Sequence, residues 1–275
     1  MLTVSTRGGA AALLTVAVAL GAATACSPEE VDSESIRIGI KFDQPGLGMA
    51  DGAGYTGLDV DVATRVAGHL GYSRTEIEWV QTPTAQRESL LEDGAVDMVV
   101  ATYSITEERA QHVDFAGPYF LAGQDLLVQS SDDSINGPDD LAGRRLCTVA
   151  GSTSAAQIRE RAPDANLREF PTYSECLVRL VSDTVDAVTT DDVILAGYAA
   201  QDRYQGRVRL VGEPFSRERY GIGLPRGDSQ LCLLVNEALT DMAEDGSLQA
   251  SVDRHFGDTD FTPLDENPPS LDTCV

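Results

Sequence analysis

The sequence predicts an α/β protein of two similar lobes, and three observations carry that reading. Short apolar runs alternate with stretches whose apolar residues recur at helical spacing. A helix end, a turn and a Val-Asp pair opening an apolar strand occur twice, as LEDGAVDMVVAT and LVSDTVDAVTT. Two extended segments, LAGQDLLVQ (121–129) and VGEPFSRERYGIG (211–223), flank the middle of the chain and read as crossovers between lobes. Such a topology makes a cleft with a hinge.

In chain order, IRIGI (36–40) alternates, with Ile36, Ile38 and Ile40 on one face, and reads as a strand. DVDVATRVAGHLGY (59–72) sets Val62, Ala63, Val66, Ala67 and Leu70 at helical spacing and stops at Gly71. EIEWV (76–80) is a second strand, TAQRESLLEDG (84–94) a helix closed by Gly94, and VDMVVAT (96–102) a buried strand. This order implies a parallel sheet. The middle repeats it with RRLCTVA (144–150), a loop opening a helix over 151–162, LREF, a helix over 173–183, VDAVTT (185–190) and a helix over 191–202. The tail returns to strand in RYGIGLP (219–225) before two helices, about 228–244 and 247–256. Ligands of open α/β sheets sit beyond the carboxyl ends of strands. The residues to inspect are therefore Lys41, Thr102 to Arg109, Ser152 to Ser154 and Thr190 to Asp191.

The 275 residues are 42% hydrophobic, enough for two medium domains. The net charge of −24 repels nucleic acid and disfavours long-range steering of an anionic ligand. Any anion site must be built from local positive groups. Lys41 is the single lysine among 20 basic residues.

The first residues read as a processing segment: Arg7, then the apolar AALLTVAVALGAATA, too short for a comfortable membrane span. ATAC, ending at Cys26, resembles a bacterial lipobox, with Ala23 where leucine is usual. A lipoprotein signal peptide is expected over 1–25, a lipidated Cys26, and a polar tether over 26–35. The alternative is an exported protein with a free Cys26. Cys147, Cys176, Cys232 and Cys274 remain, an even count that permits three connectivities. Cys147 and Cys176 share the middle segment, while Cys232 and Cys274 follow it, so Cys147–Cys176 and Cys232–Cys274 are the expected bonds. No CxxC is present, and neither a metal nor a cofactor is expected.

TYSITEER (102–109) is the richest motif. Ser104 and Glu107 fit a capping box that would start a helix here. Thr102, Ser104 and the planar fork of Arg109 also suit bidentate capture of a carboxylate beyond a buried strand. AGSTSAAQ (150–157) runs small residues into a helix, so Ser152, Thr153 and Ser154 could cradle an anion or simply cap the helix. Asp191 is either an N-cap or the partner of an ammonium. Together these parts describe a site for a zwitterion.

GYTGLDVDVA, RESLLEDGAVDMVVATYSITEERAQHVDFAGPYF, GRRLCTVAGSTSA, VDAVTTDDVILAG and YGIGL, in this order, resemble the polar amino-acid family of extracellular solute-binding proteins of ABC importers (family 3). The resemblance spans about Ser35 to Phe256, and its nearest branch is the actinobacterial glutamate-binding lipoproteins. It implies a two-lobed, type II periplasmic-binding-protein-like fold. Each lobe is then a mixed, mostly parallel sheet flanked by helices, with a two-strand hinge. Residues 36–122 and 218–275 would form one lobe and 123–217 the other. By the same resemblance, Arg109, with Ser104 and Thr153, holds the ligand carboxylate. Asp191, with Thr102, holds its ammonium. Lys41 stands where binders of basic amino acids carry an acid, and Arg87 where acidic-amino-acid binders place a second side-chain contact. Gln44 and Gly46 replace the aromatic that often stacks on the ligand.

The implied protein is a monomeric, lipid-anchored binder on the extracellular face of the cell membrane. It delivers glutamate, or aspartate, to an ABC permease. Alternatives are a glutamine or asparagine binder, a sensing partner of a membrane receptor, or a dehydratase-like enzyme on the same fold. No nucleophile–base pair is visible, and His69, His112 and His255 lie away from the cleft.

Overall fold

The computed structural model describes residues 2–3, 35–52, 54–259 and 261–274. Nearly all of the expected signal peptide, Cys26 and nearly all of the tether lie outside the described residues.

The chain opens with β1 (Ile36–Ile40), whose Ile36, Ile38 and Ile40 are buried as the alternation requires. A small antiparallel meander follows: β2 (Asp43–Gln44), β3 (Gly48–Ala50) and β4 (Tyr55–Thr56). Next come α1 (Leu58–His69), β5 (Ile77–Gln81), α2 (Arg87–Glu92) and β6 (Met98–Ser104). The stretch expected as one helix from 84 begins as a 3-10 turn over Thr84–Gln86. Then β7 (Asp114–Ala122) runs into β8 (Gln124–Gln129), with Gly123 alone between them. The second half holds β9 (Arg145–Val149), α3 (Thr153–Arg161), β10 (Asn166–Phe170), α4 (Tyr173–Val181), β11 (Ala187–Asp191), α5 (Asp192–Ala199) and β12 (Val208–Leu210). It ends with β13 (Glu218–Leu224), α6 (Ser229–Glu244) and α7 (Ser247–Phe256).

Two five-stranded sheets result, in the orders β5-β1-β6-β13-β7 and β10-β9-β11-β8-β12. In each, three parallel strands meet one antiparallel strand and then an edge strand. Strand β8 enters the second sheet straight after Gly123, and β13 re-enters the first after residues 211–217. The segment expected as a crossover over 121–129 is therefore almost wholly strand, and only Gly123 crosses. The capping box expected at Ser104 and Glu107 does not form. Ser104 ends β6, and Thr106 Oγ1 caps the N–H of Arg109 in a 3-10 turn over Arg109–Gln111.

The repeated Val-Asp pair has a physical cause. Asp97 accepts the backbone N–H and guanidinium of Arg37, and Arg37 Nη1 bonds the carbonyl of Gly94 at φ 63°. Asp186 does the same for Arg145, whose Nη1 bonds the carbonyl of Asp183 at φ 57°. In both sheets the first strand is thus pinned to the turn before the third. Val96 and Val185 beside these aspartates are fully buried. Disulfide Cys147–Cys176 ties β9 to α4, and Cys232–Cys274 ties α6 to the C-terminal tail, the pairing expected from segment position.

The two lobes are closed on each other. Ser174 Oγ donates to Asp43 Oδ2 at 2.7 Å, and Tyr198 Oη donates to the Asp43 carbonyl at 2.6 Å. Gly197, inside α5, lies so near the meander that an added Cβ would stand 2.0 Å from the carbonyl oxygen of Pro45. Ala is the better helix former by about 1 kcal/mol, so Gly197→Ala leaves the lobe that carries it intact and obstructs only the approach of the lobes. A retained melting temperature with a larger radius of gyration by small-angle scattering is the expected outcome. An unchanged radius would refute the contact.

Candidate ligand site

Between the sheets, where β1, β6, β9 and β11 end, lies a small cavity lined mostly by polar side chains. Its wall brings together Arg87, Thr102, Ser104, Arg109, Ser152, Thr153 and Asp191 from both halves of the chain. Arg109 Nη1 donates to the Ser104 carbonyl (2.8 Å) and Nη2 to the Gly151 carbonyl (3.1 Å), which spans the two lobes. Its Nε lies 3.5 Å from Glu88 Oε1, and its guanidinium lies over the Tyr103 ring. Each terminal nitrogen keeps a second N–H, so the fork can still meet a carboxylate.

Helix α3 points its N-terminus into the same wall. Ser152 caps it by accepting the Ala155 N–H, and the Thr153 hydroxyl donates to Glu218 Oε2 at 2.9 Å. These hydroxyls are therefore partly committed to the protein. The backbone N–H groups of Thr153 and Ser154 make no hydrogen bond among the described residues. They and the positive end of α3 are the parts suited to an anion.

Asp191 occupies the N-cap position of α5 but makes no capping bond. Oδ2 accepts from Tyr220 Oη, and Oδ1 is buried with no hydrogen-bond partner among the described residues. Burial, with Glu218 nearby, pushes its carboxyl well above the usual range. Its neighbour Asp192 is occupied with the backbone N–H groups of Gly123 and Val193.

Lys41 is the exception among the expected residues, because it does not line the cavity. Its ammonium is buried one layer back, donating to the Thr82 carbonyl and to Thr84 Oγ1, both at 2.8 Å, and Thr84 forms part of the wall. Among the described residues Arg87 donates only to the carbonyls of Thr84, Ala101 and Thr102, and it stacks 4.2 Å over Tyr103. Burial, with Arg87 nearby, holds Lys41 well below the usual lysine range. Burial, with Arg109 nearby, lowers Arg87 to about 10.

The wall also holds Gln44, at the position where the resemblance places an aromatic, while sequence reasoning missed Thr84, Tyr173 and Ile194. The strand-end rule, applied to β5 as well, would have pointed to Thr84. It also missed Asp59, wholly buried on α1, whose oxygens accept from Tyr119 Oη and the Thr102 N–H. Burial raises Asp59 to about 7 against the pull of those bonds.

Two α/β lobes closed over a buried pocket, with a cationic fork, free helix N–H groups and a half-paired carboxylate, define a binding protein for a small zwitterion. The chain belongs to the bacterial extracellular solute-binding proteins, family 3, whose model matches residues 36–258. It is 41% identical over 267 residues to the glutamate-binding protein GluB of Corynebacterium efficiens, covering 90% of each chain. It is 36% identical over 218 residues to the ABC transporter glutamine-binding protein GlnH of Bacillus subtilis, covering 78% of each. Among solved structures, an ancestral arginine-binding protein bound to glutamine superposes with a TM-score of 0.76 at 35% identity. That match covers 82% of this chain and 99% of that one. Among the described residues no helix is long and apolar enough to cross a membrane.

The orphaned Oδ1 makes Asp191→Asn a two-sided test. Removing a charge from a buried, hydrogen-bonded pair costs about 2–5 kcal/mol, so calorimetry should show amino-acid affinity falling by about a hundredfold. The raised carboxyl opposes folding once it must ionise. Its stabilising contribution is present at acid pH and lost as pH rises through the folded value. The ligand-free Asn variant should therefore melt higher than wild type at neutral pH. Unchanged affinity would reduce Asp191 to a structural residue.

Proposed function

We propose that the protein captures an acidic amino acid, glutamate or aspartate, and presents it to an ABC permease, acting as a monomer anchored outside the cell through Cys26. One observation carries the choice of ligand. Lys41 and Arg87 are buried cations bonded only to neutral oxygens, with no carboxylate within ion-pair distance among the described residues. Burying unpaired charge is costly, and a ligand bringing a second carboxylate would offset that cost. The glutamate-binding relative supports this reading, and the glutamine-binding relative is why glutamine is the alternative.

In this reading Arg109 and the α3 N-terminus take the α-carboxylate, and Asp191 and Thr102 take the ammonium. Arg87 meets the side-chain carboxylate directly, while Lys41 acts on it through Thr84 and by its field. The lobes are residues 36–122 with 218–275, and 123–217. The ligand bridges them and favours the closed form. The role is binding and delivery rather than catalysis, and its chemistry is held entirely by these charges and hydrogen bonds.

Lys41→Met tests the choice. It keeps the length of the side chain and deletes the charge. Calorimetry should show glutamate affinity falling roughly tenfold to a hundredfold and glutamine affinity unchanged or improved. Wild-type protein that prefers glutamine or arginine to glutamate would overturn the assignment.

A further inference from the structure

Thr102 is a β-branched residue at φ 46°, inside β6 and in the cavity wall. That conformation is left-handed and disfavoured for any residue with a branched Cβ. Strain of this kind persists only where the surroundings over-determine it. Here the pairing of β6 with β13 is interrupted between Gly221 and Gly223, opposite the segment holding Thr102. The Thr102 N–H leaves the ladder and donates to Asp59 Oδ2 at 3.0 Å. The other Asp59 oxygen accepts from Tyr119 Oη at 2.7 Å. On the opposite side of the kink, Arg87 Nη1 gathers the carbonyls of Ala101 and Thr102, each at 3.1 Å. An anion thus holds the amide and a cation holds the carbonyls. Neither Asp59 nor Tyr119 lines the cavity.

We propose that Asp59, oriented by Tyr119, is a positioning residue for ligand binding, because it fixes the left-handed turn of Thr102 that sets the cavity wall. The inference rests on the reading that Thr102 faces the bound amino acid. Without an acceptor at Asp59, Thr102 relaxes toward extended backbone. Its carbonyl then leaves Arg87, and both the ammonium end and the second cation of the site lose their places. Glycine at position 102 adopts positive φ freely, so it removes the need for the hold.

The experiment is a double-mutant cycle read by calorimetric affinity in mildly alkaline buffer, where Asp59 is ionised. The titrant is L-glutamate, replaced by L-glutamine or L-arginine should wild type bind one of those instead. A failure of the glutamate assignment then shows as a change of titrant and leaves the mutant ratios readable. Asp59→Ala should weaken binding roughly tenfold or more in the Thr102 protein, as expected for a lost charge-assisted bond. In the Thr102→Gly protein the same change should cost no more than about threefold, because the coupling partner is gone. Asp59→Asn, which still offers an oxygen to the Thr102 N–H, should recover most of the loss. Should Asp59→Ala fail to fold, Tyr119→Phe deletes one hydroxyl and reads the same link, with a loss in the Thr102 protein and none in the Thr102→Gly protein. Equal losses in both backgrounds, or wild-type affinity in Asp59→Ala, overturn the proposal.

Discussion

Asp191 keeps one buried carboxylate oxygen without a hydrogen-bond donor among the described residues, while the buried Lys41 and Arg87 hydrogen-bond only neutral oxygens there. A fold can carry such groups only if its remaining contacts are strong enough to offset them. The fold meets that demand by dividing the charges between its two lobes. Arg87 and Arg109 stand on the first sheet's side, and Asp191 and the α3 N-terminus on the second. Each lobe has its own disulfide and its own arginine–aspartate pin.

Closure is built from contacts that do not touch the cavity as well as from those that do. The Asp43 latch with Ser174 and Tyr198, and the bare backbone of Gly197 against Pro45, bring the lobes together beside the site. Arg109 reaches the Gly151 carbonyl across it. A ligand therefore adds its bridging energy to an interface that already fits. Its affinity depends on lobe–lobe packing as much as on the groups it meets.

Much of the architecture was legible because local chemistry repeats. The alternation of IRIGI, the helical spacing of residues 59–70 and the paired Val-Asp turns each act within a few residues, so periodicity finds them. The meander β2 to β4 was not legible, since strands of two or three residues carry no period. Nor was β7, whose Gly117-Pro118 interrupts the strand pattern. In the site, Arg109 and Asp191 could be found because they follow strands. Lys41 was singled out by its rarity and its place after β1, yet it turns to Thr84 rather than into the cavity. That choice depends on a partner 43 residues away, which no local rule supplies. Asp59 escaped for the same reason, since inside an amphipathic helix pattern an aspartate reads as a solvated face.

The chain's charge of −24 and the cationic character of its cleft are then two parts of one electrostatic design. At physiological ionic strength the screening length is about 8 Å, so the acidic exterior repels an anionic ligand only over a short approach. Inside the closed cleft screening is weak, so the charges of Arg87 and Arg109 in its wall are felt more strongly than charges on the surface. An acidic surface therefore costs some encounter rate and, in the proposed reading, leaves selectivity to the few buried cations. Those cations must be rigid to be selective. Arg87 donates to the carbonyls of the Thr102 kink and Asp59 accepts the Thr102 N–H, so in the proposed reading a buried anion outside the cavity keeps in place the cation that meets the ligand.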